Sequence, residues 1–327
     1  MNKKLNKRQA WLAFLVLMLG LIAVFILSLF FGSVSIAPEK LWQSEIVWQI
    51  RLPRVILAGL IGLLLSLSGV ILQGVLRNPL ADPYILGISA GGAVGAALAI
   101  SMGGGIVVLG MSSVPIAAFI FSLLAVFIVY KLAKVGGRTA PETLILAGVA
   151  LSAFCSAILA LIIIVSGNLQ TIYFWLLGSL AWASWGNVIT VAPYALIGAG
   201  IVYFYSKELN ALLLGEEMAA TLGIDVEQVR LILIVVASVM TAAAVSVAGL
   251  IGFVGLIVPH WVRLLIGPNH RLLIPIASLS GMLLMILADT LARTMLAPLE
   301  IPIGIIMSLI GAPFFLYLLR RRRAPGK

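Results

Sequence analysis

The side chains able to do chemistry in this 327-residue chain are few, and the largest group of them stands together. Five of the 11 acidic residues, Glu208, Glu216, Glu217, Asp225 and Glu227, lie between Lys207 and Arg230. Elsewhere Asp289 and Arg293 form an i, i+4 pair with the acid first, the favourable order on a helix. His260 and His270 have no cysteine or carboxylate at ligand spacing, which argues against a metal site and makes each a helix-end polar residue. No GxxxxGK[ST] occurs, so ATP has no P-loop here. No Ser-His-acid set can be assembled either, which disfavours a membrane enzyme. Apart from Asp289 and Arg293, the apolar runs are bare of the ionisable groups that a proton relay needs at mid-membrane. An ion-coupled secondary transporter is disfavoured on that ground, and the energy for any transport must come from outside the spans. The single cysteine, Cys155, lies inside an apolar run, where it reads as a small core residue and excludes an intrachain disulfide.

The elements that must position these residues are lipid-soluble. With 62% hydrophobic residues, 10% charged residues and a mean hydropathy of +1.20, the chain is a polytopic membrane protein, all-α, with no large soluble domain. The net charge of +10 is scattered between apolar runs and bunched at both termini, a pattern of membrane topology and not of nucleic-acid binding. Residues 1–327 read as one transmembrane domain of about ten spans. The first run, Trp11 to Phe31, follows Lys3, Lys4, Lys7 and Arg8 but is too long for a signal peptide and lacks a small-residue cleavage site. A short amphipathic segment, Val34 to Gln49, precedes the second run, Val55 to Leu76. Further runs are expected at Tyr84 to Ile100, Val114 to Leu132, Thr143 to Val165, Val188 to Tyr205, Leu231 to Ala248, a half-length Leu256 to Leu265, Leu272 to Ala292 and Pro302 to Leu319. The aromatic stretch Gly167 to Gly186 is too broken for a simple span and reads as interfacial or re-entrant.

Charge tests that count. With the N-terminus inside and strict alternation, all but four of the 21 Lys and Arg fall on the cytoplasmic side, the exceptions being Lys40, Arg51, Arg54 and Arg293. Both termini and the Lys207 to Arg230 island are then cytoplasmic. Within the island Asn210 can cap a short helix, Gly215 and Gly223 break it, and Asp225 can cap the helix that Arg230 enters. Leu212, Leu213, Leu214, Met218 and Leu222, set among the charges, let two short helices fold against each other and offer another protein a surface to grip. Ser66-Leu-Ser-Gly69 with Gly74, near the end of run two, is echoed weakly by Ser246-Val-Ala-Gly249 with Gly255, near the end of run seven, as in inverted repeats.

Several motifs carry a family resemblance. Arg51-Leu-Pro-Arg54, Ser68-Gly69-x-x-x-Gln73-Gly74 running into Arg77-Asn-Pro-Leu-Ala-Asp-Pro83, Gly252-Phe-Val-Gly-Leu-Ile-Val-Pro-His260, Ala288-Asp289 with Arg293, and Gly311-Ala-Pro-Phe-Phe315 resemble the FecCD family. These are permease subunits of bacterial ABC importers for iron-siderophores, haem and cobalamin, and the match runs from Val34 to Arg323. The resemblance implies a type II importer permease in the bacterial inner membrane. It implies a homodimer with one path at its axis, two cytoplasmic ATPase subunits that hold ATP and Mg, and an extracytoplasmic binding protein. No cofactor is expected on this chain itself. Glu216, Glu217, Met218, Ala219, Leu222 and Gly223 match the family's coupling segment and are the expected ATPase contact.

Two further sites are expected. Arg51, Arg54 and Arg293 face outward against the positive-inside bias: either Arg293 pairs with Asp289 while the other two snorkel at headgroups, or all three receive carboxylates of the binding protein, as the resemblance implies. The small and hydroxyl residues Ser89, Gly91, Gly92, Ser152 and Ser156, with the Gly167 to Gly186 piece and the last helices, should line a wide, weakly polar conduit for a bulky chelate. An iron chelate is the favoured cargo, with haem or cobalamin as the alternative.

Overall fold

The computed structural model describes residues 7–32, 43–103, 107–108, 111–136 and 138–323. Lys40 and most of the Val34 to Gln49 segment lie outside these. Among the described residues seven helices are long and apolar enough to cross a membrane, and three shorter apolar helices bring the set to the expected spans. In chain order the helices are α1 (Lys7–Phe30), α2 (Leu52–Val75), α3 (Ile88–Ser101), α4 (Ser113–Ala133), α5 (Pro141–Ser166), α6 (Leu169–Leu176), α7 (Trp185–Phe204), α8 (Ser206–Leu212), α9 (Glu216–Thr221), α10 (Val226–Ala248), α11 (Val254–Ile266), α12 (His270–Thr294) and α13 (Ile303–Arg323). Two-residue β-ladders pair Val107–Val108 with Met111–Ser112 and Lys134–Val135 with Arg138–Thr139, tightening the turns on either side of α4.

Helix α2 is the central post. Val55, Leu57, Ile61, Leu64, Leu67, Ile71 and Leu72 are fully buried, and the helix packs against α12, α10, α7 and α11. Hydrophobicity alone does not select it, since every span is apolar. What sets it apart is the combination of small residues that let backbones approach. A Cβ added to Gly62 would land on the carbonyl of Gly281 in α12, and one added to Gly69 on the carbonyl of Gly255 in α11. Hydroxyls reinforce the same contacts: Ser66 Oγ donates to the Ala277 carbonyl at 2.8 Å and Ser68 Oγ to the Ala237 carbonyl at 3.1 Å.

The weak sequence echo does not correspond to equivalent local structure. Ser66 to Gly69 lies in the interior of α2, whereas Gly249 ends α10 with φ of +70°. The aromatic stretch is broken as expected. The eight-residue α6 is followed by an irregular segment, and Ser179 N–H donates to the Ala248 carbonyl at 2.9 Å. The half-length span is present as α11, which opens at Phe253, a non-glycine residue at φ of +69°.

Helix α5 is the least embedded of the long inner helices: only Leu144, Gly148 and Cys155 are buried, while Leu146, Val149, Phe154 and Leu161 are exposed. A surface that apolar is met by lipid or another chain.

Candidate functional site

The charged groups concentrate at the two ends of α2, a 24-residue helix about 35 Å long at the standard rise. At its start Arg51, Arg54 and Arg293 come together, as the reading of them as one site requires. Arg54 Nε donates to Asp289 Oδ1 at 2.9 Å, and its Nη1 donates to both oxygens of Glu300 at 3.0 Å. Arg293 pairs with Asp289 Oδ2 at 3.2 Å and donates to the Ser28 carbonyl at 2.8 Å. Arg51 donates to the carbonyls of Leu29 and Phe30 at 2.7 and 2.9 Å. Helix ends leave their last carbonyls without intrahelical partners and carry partial negative charge there, so two guanidiniums cap the end of α1.

This corrects the sequence reading in one respect. All three arginines are buried, at 4%, 6% and 3% exposure for Arg51, Arg54 and Arg293, so none of them snorkels and none projects an open fork outward. The reachable member of the cluster is a residue the sequence did not single out. Glu300 is 37% exposed at its side chain and lies on the α12–α13 connection.

Glu300 also reaches a cavity of about 520 Å³ walled by Phe174, Trp175 and Trp182 of the aromatic stretch, with Gly249 and Pro302. The expected contribution of that stretch to a conduit thus has a counterpart in shape. The small residues named with it do not share the cavity. Gly91 packs on Phe121 and Ala125 of α4, and Gly92 on Ser122 and Val245, so both are buried helix-packing positions and not conduit lining. Ser89 is half-buried on α3. Ser152 and Ser156 lie on the little-covered α5, where Ser156 Oγ donates to the Ser152 carbonyl at 2.8 Å.

At the other end of α2 the polar island folds as α8, α9 and the start of α10. Asp225 caps α10 as expected, its side chain accepting from Gln228 N–H at 3.0 Å. Asn210 does not cap: it sits inside α8, and its side-chain oxygen accepts from the His270 N–H at 2.8 Å, tying the island to α12. Gly215 and Gly223 hold φ of +111° and +81° at the two ends of α9. Leu214 just before α9, Met218 on it and Leu222 at its C-terminal cap are 64%, 54% and 61% exposed and form an apolar patch, in which Met218 and Leu222 lie one helical turn apart. Glu217 and Gly223 are exposed beside it. Ala219 is fully buried, which removes it from any direct partner contact, because its methyl anchors α9 to the body of the subunit. Glu216, 40% exposed at its side chain, opens α9 and accepts from both Arg230 and Arg77.

Two of the recognised motifs meet between these ends. Gln73 Nε2 donates to the carbonyls of Gly255 and Leu256 at 3.3 and 3.2 Å, and Tyr84 Oη both donates to and accepts from the Ile251 backbone. Asp82 accepts from the N–H groups of Tyr84 and Phe253, but burial pushes its carboxyl up to about 6. The raised value means the neutral acid is favoured in the fold. Its contribution is fully present below the unfolded carboxyl range near pH 4 and is lost as pH rises through about 6. Thermal unfolding in detergent should therefore show a midpoint that falls between about pH 4 and pH 6, and Asp82→Asn should flatten that slope. Equal slopes for the two proteins would mean that Asp82 is not the group responsible.

With the geometry in place, likeness to known proteins can be weighed. The model of the FecCD transport family matches residues 20–321. The chain belongs to the FecCD transport family. It is 48% identical over 85% of its length to the cobalamin import system permease protein BtuC of Halobacterium salinarum, covering 74% of that protein. It is 40% identical to the hemin transport system permease protein HmuU of Yersinia pestis, covering 94% of this chain and 96% of that one. The iron(3+)-hydroxamate import system permease protein FhuG of Bacillus subtilis is 38% identical, with 98% and 99% covered. Among solved structures, an inward-facing conformation assigned to the metal-chelate type of ABC transporter superposes with a TM-score of 0.85 at 35% identity, covering 94% of this chain and 98% of that chain. This FecCD chain is a multi-pass membrane permease subunit of the ABC-importer class.

Proposed function

We propose that the subunit passes an iron chelate across the bacterial inner membrane, as one half of a homodimer, with both termini and the polar island in the cytoplasm. ATP and Mg are held by two ATPase subunits, which seat against α9, and an extracytoplasmic binding protein delivers the cargo to the Arg54–Glu300 end. The observation that carries this reading is the exposed apolar patch of Leu214, Met218 and Leu222 on and beside the short helix α9 at one end of α2, opposite a buried arginine cluster at the other. An apolar patch with a carboxylate at its edge fits a protein partner, since it combines packing with charge complementarity.

Placing two carboxylates in that contact should separate the proteins. Met218→Glu with Leu222→Glu is expected to lower recovery of the ATPase with the tagged subunit about tenfold or more, on the scale of a lost interface anchor. Both positions are solvent-exposed, so the yield and unfolding temperature of the subunit itself should hold. Full recovery of the ATPase with the doubly substituted subunit would refute the seat on α9. Gly223→Pro is a poorer probe, because proline cannot adopt φ of +81° and the turn itself would be lost.

A second cargo deserves a test beside the first, because a relative at 48% identity is named as a cobalamin permease and one at 40% as a hemin permease. Inverted vesicles are the wrong geometry for uptake, so right-side-out vesicles carrying the importer and its binding protein are the assay. ATP-dependent accumulation of a ferric siderophore and not of cobalamin or haem is the expected result. Accumulation of cobalamin alone would replace the iron reading.

A further inference from the structure

We infer that Arg230 is a positioning residue that carries movement of α9 to the start of α5, an inference that rests on the reading of α9 as the ATPase seat. Arg230 is among the largest fully buried side chains, at 2% exposure, yet it lies in the first turns of α10 at the polar end of the subunit. Its guanidinium joins the neighbouring helix α9 and the start of α10 itself to Thr139, which lies 91 residues earlier in the chain. Nη2 donates to Glu216 of α9, and Nη1 donates to Glu227 of α10 and to the Thr139 carbonyl at 2.7 Å. Glu227 closes the ring by accepting from the Thr139 N–H at 3.4 Å. The planar guanidinium suits this task because its donors point in fixed directions, whereas an ammonium would offer a single point charge.

Each attachment has a mechanical consequence. Helix α9 has six residues and one buried side chain, Ala219, so the Glu216–Arg230 pair is a large share of its hold on the subunit. Thr139 stands two residues before Pro141, the first residue of α5. Ala140 between them is extended, at φ of −73° and ψ of +139°, as a residue preceding proline must be. The connection has little slack, and a displaced Thr139 carbonyl moves the end of α5. That helix is lightly held, because Leu144, Gly148 and Cys155 are its buried residues and Ile145, Ala147 and Leu151 pack only partly against the core.

The pairing is also incomplete in an informative way. Thr139 Oγ1, Glu227 Oε2 and Arg230 Nε are buried with no hydrogen-bond partner among the described residues. Unmade bonds at low dielectric are costly, so a second arrangement that makes them is favoured in compensation for the bonds it breaks. A cluster with spare donors and acceptors can hold two discrete arrangements, which is what transmission between two sites requires. The exposed Arg77–Glu216 pair, at 3.4 Å, adds the end of α2 to the same junction but is worth little by itself.

The test uses the assembled importer purified from its own membrane and reconstituted in liposomes. In a Cys155→Ser background, a cysteine at the exposed Ser156 reports on α5 through its rate of labelling by a small maleimide, with and without ATP and vanadate. The unaltered pairing should give a nucleotide-dependent labelling rate. Glu216→Gln should shrink that response by about threefold or more, read on the fraction of importer that retains its ATPase and traps nucleotide. Arg230→Lys, which keeps the charge but not the fork, should fall between the two. Arg230→Met should abolish the response. Should that variant fail to fold, Glu216→Gln decides alone, since it leaves buried Arg230 its Glu227 and Thr139 partners. An undiminished response in Glu216→Gln overturns the inference, as does the absence of any response with the pairing intact. Loss of ATPase co-purification in Glu216→Gln also overturns it, because the pair would then serve docking itself. Failure of the Met218 and Leu222 substitutions to release the ATPase would instead refute the seat on α9, and it is read in a separate assay.

Discussion

Asp289→Ala is expected to cost the folded subunit roughly 3–5 kcal/mol, the scale of a buried ion pair broken from one side. Asp289 is 1% exposed and accepts charge from two guanidiniums, Arg54 at 2.9 Å and Arg293 at 3.2 Å. Removing it leaves Arg54 with Glu300, which is partly in solvent, and takes from Arg293 its ion-pair partner among the described residues. Uncompensated buried charge is the costly outcome, because Arg293 is 3% exposed. Asp289→Asn keeps an oxygen for the Arg54 Nε–H but not the charge, and should lose less. The measurement is resistance to thermal or denaturant unfolding in detergent. A loss under about 1 kcal/mol would mean that the cluster behaves like an exposed pair and that its burial is not maintained. Adding Arg293→Met to Asp289→Ala should recover part of the loss, since the two residues are coupled. The same reasoning applies to Arg54→Glu. Reversing that charge would bury three acids together, so a docking experiment built on it would measure folding before it measured binding.

The second large effect is expected at Gly62, where Gly62→Leu should destabilise by about 3 kcal/mol and Gly62→Ala by less. The positions of Gly62 and Gly281 are reciprocal: a Cβ on either would strike the carbonyl of the other. Backbone cannot move aside as a side-chain tip can, so α2 and α12 must separate. Separation also stretches the Ser66 hydroxyl away from the Ala277 carbonyl, one turn further along. Space opened on either side of the new side chain would lose dispersion contacts that lipid cannot replace. Unfolding temperature and the yield of monodisperse protein are the readouts. An unchanged midpoint for Gly62→Leu would contradict the close approach of the two helices.

Much of the architecture was legible in the residues because the bilayer imposes simple rules. Every backbone polar group in lipid must be bonded internally, so apolar runs of sufficient length become helices, and ten were recognisable in place. The short Leu256 to Leu265 run, read from its apolar residues and kept as a half-length span by the charge bias, is present as α11. Asp225 was legible as a cap because capping is local, involving residues three apart. Asn210 was misread for the complementary reason: its partner, His270, is 60 residues away, and only the fold brings them together.

Composition, period and charge bias therefore determined the membrane class, the span positions and the motifs, since each is a property of a residue and its near neighbours. Tertiary structure decided what each charged or small residue does. Arg51 looks outward in sequence but is buried against the end of α1, and Glu300, inconspicuous in sequence, holds Arg54. Gly91 and Gly92 resemble conduit lining yet pack on α4, while Ala219 sits among surface residues and is itself fully buried. In a chain where nearly every face of every helix is apolar, hydrophobicity cannot say which face meets protein and which meets lipid. That choice depends on shape and on pairing between distant segments, and these exist only once the helices are packed.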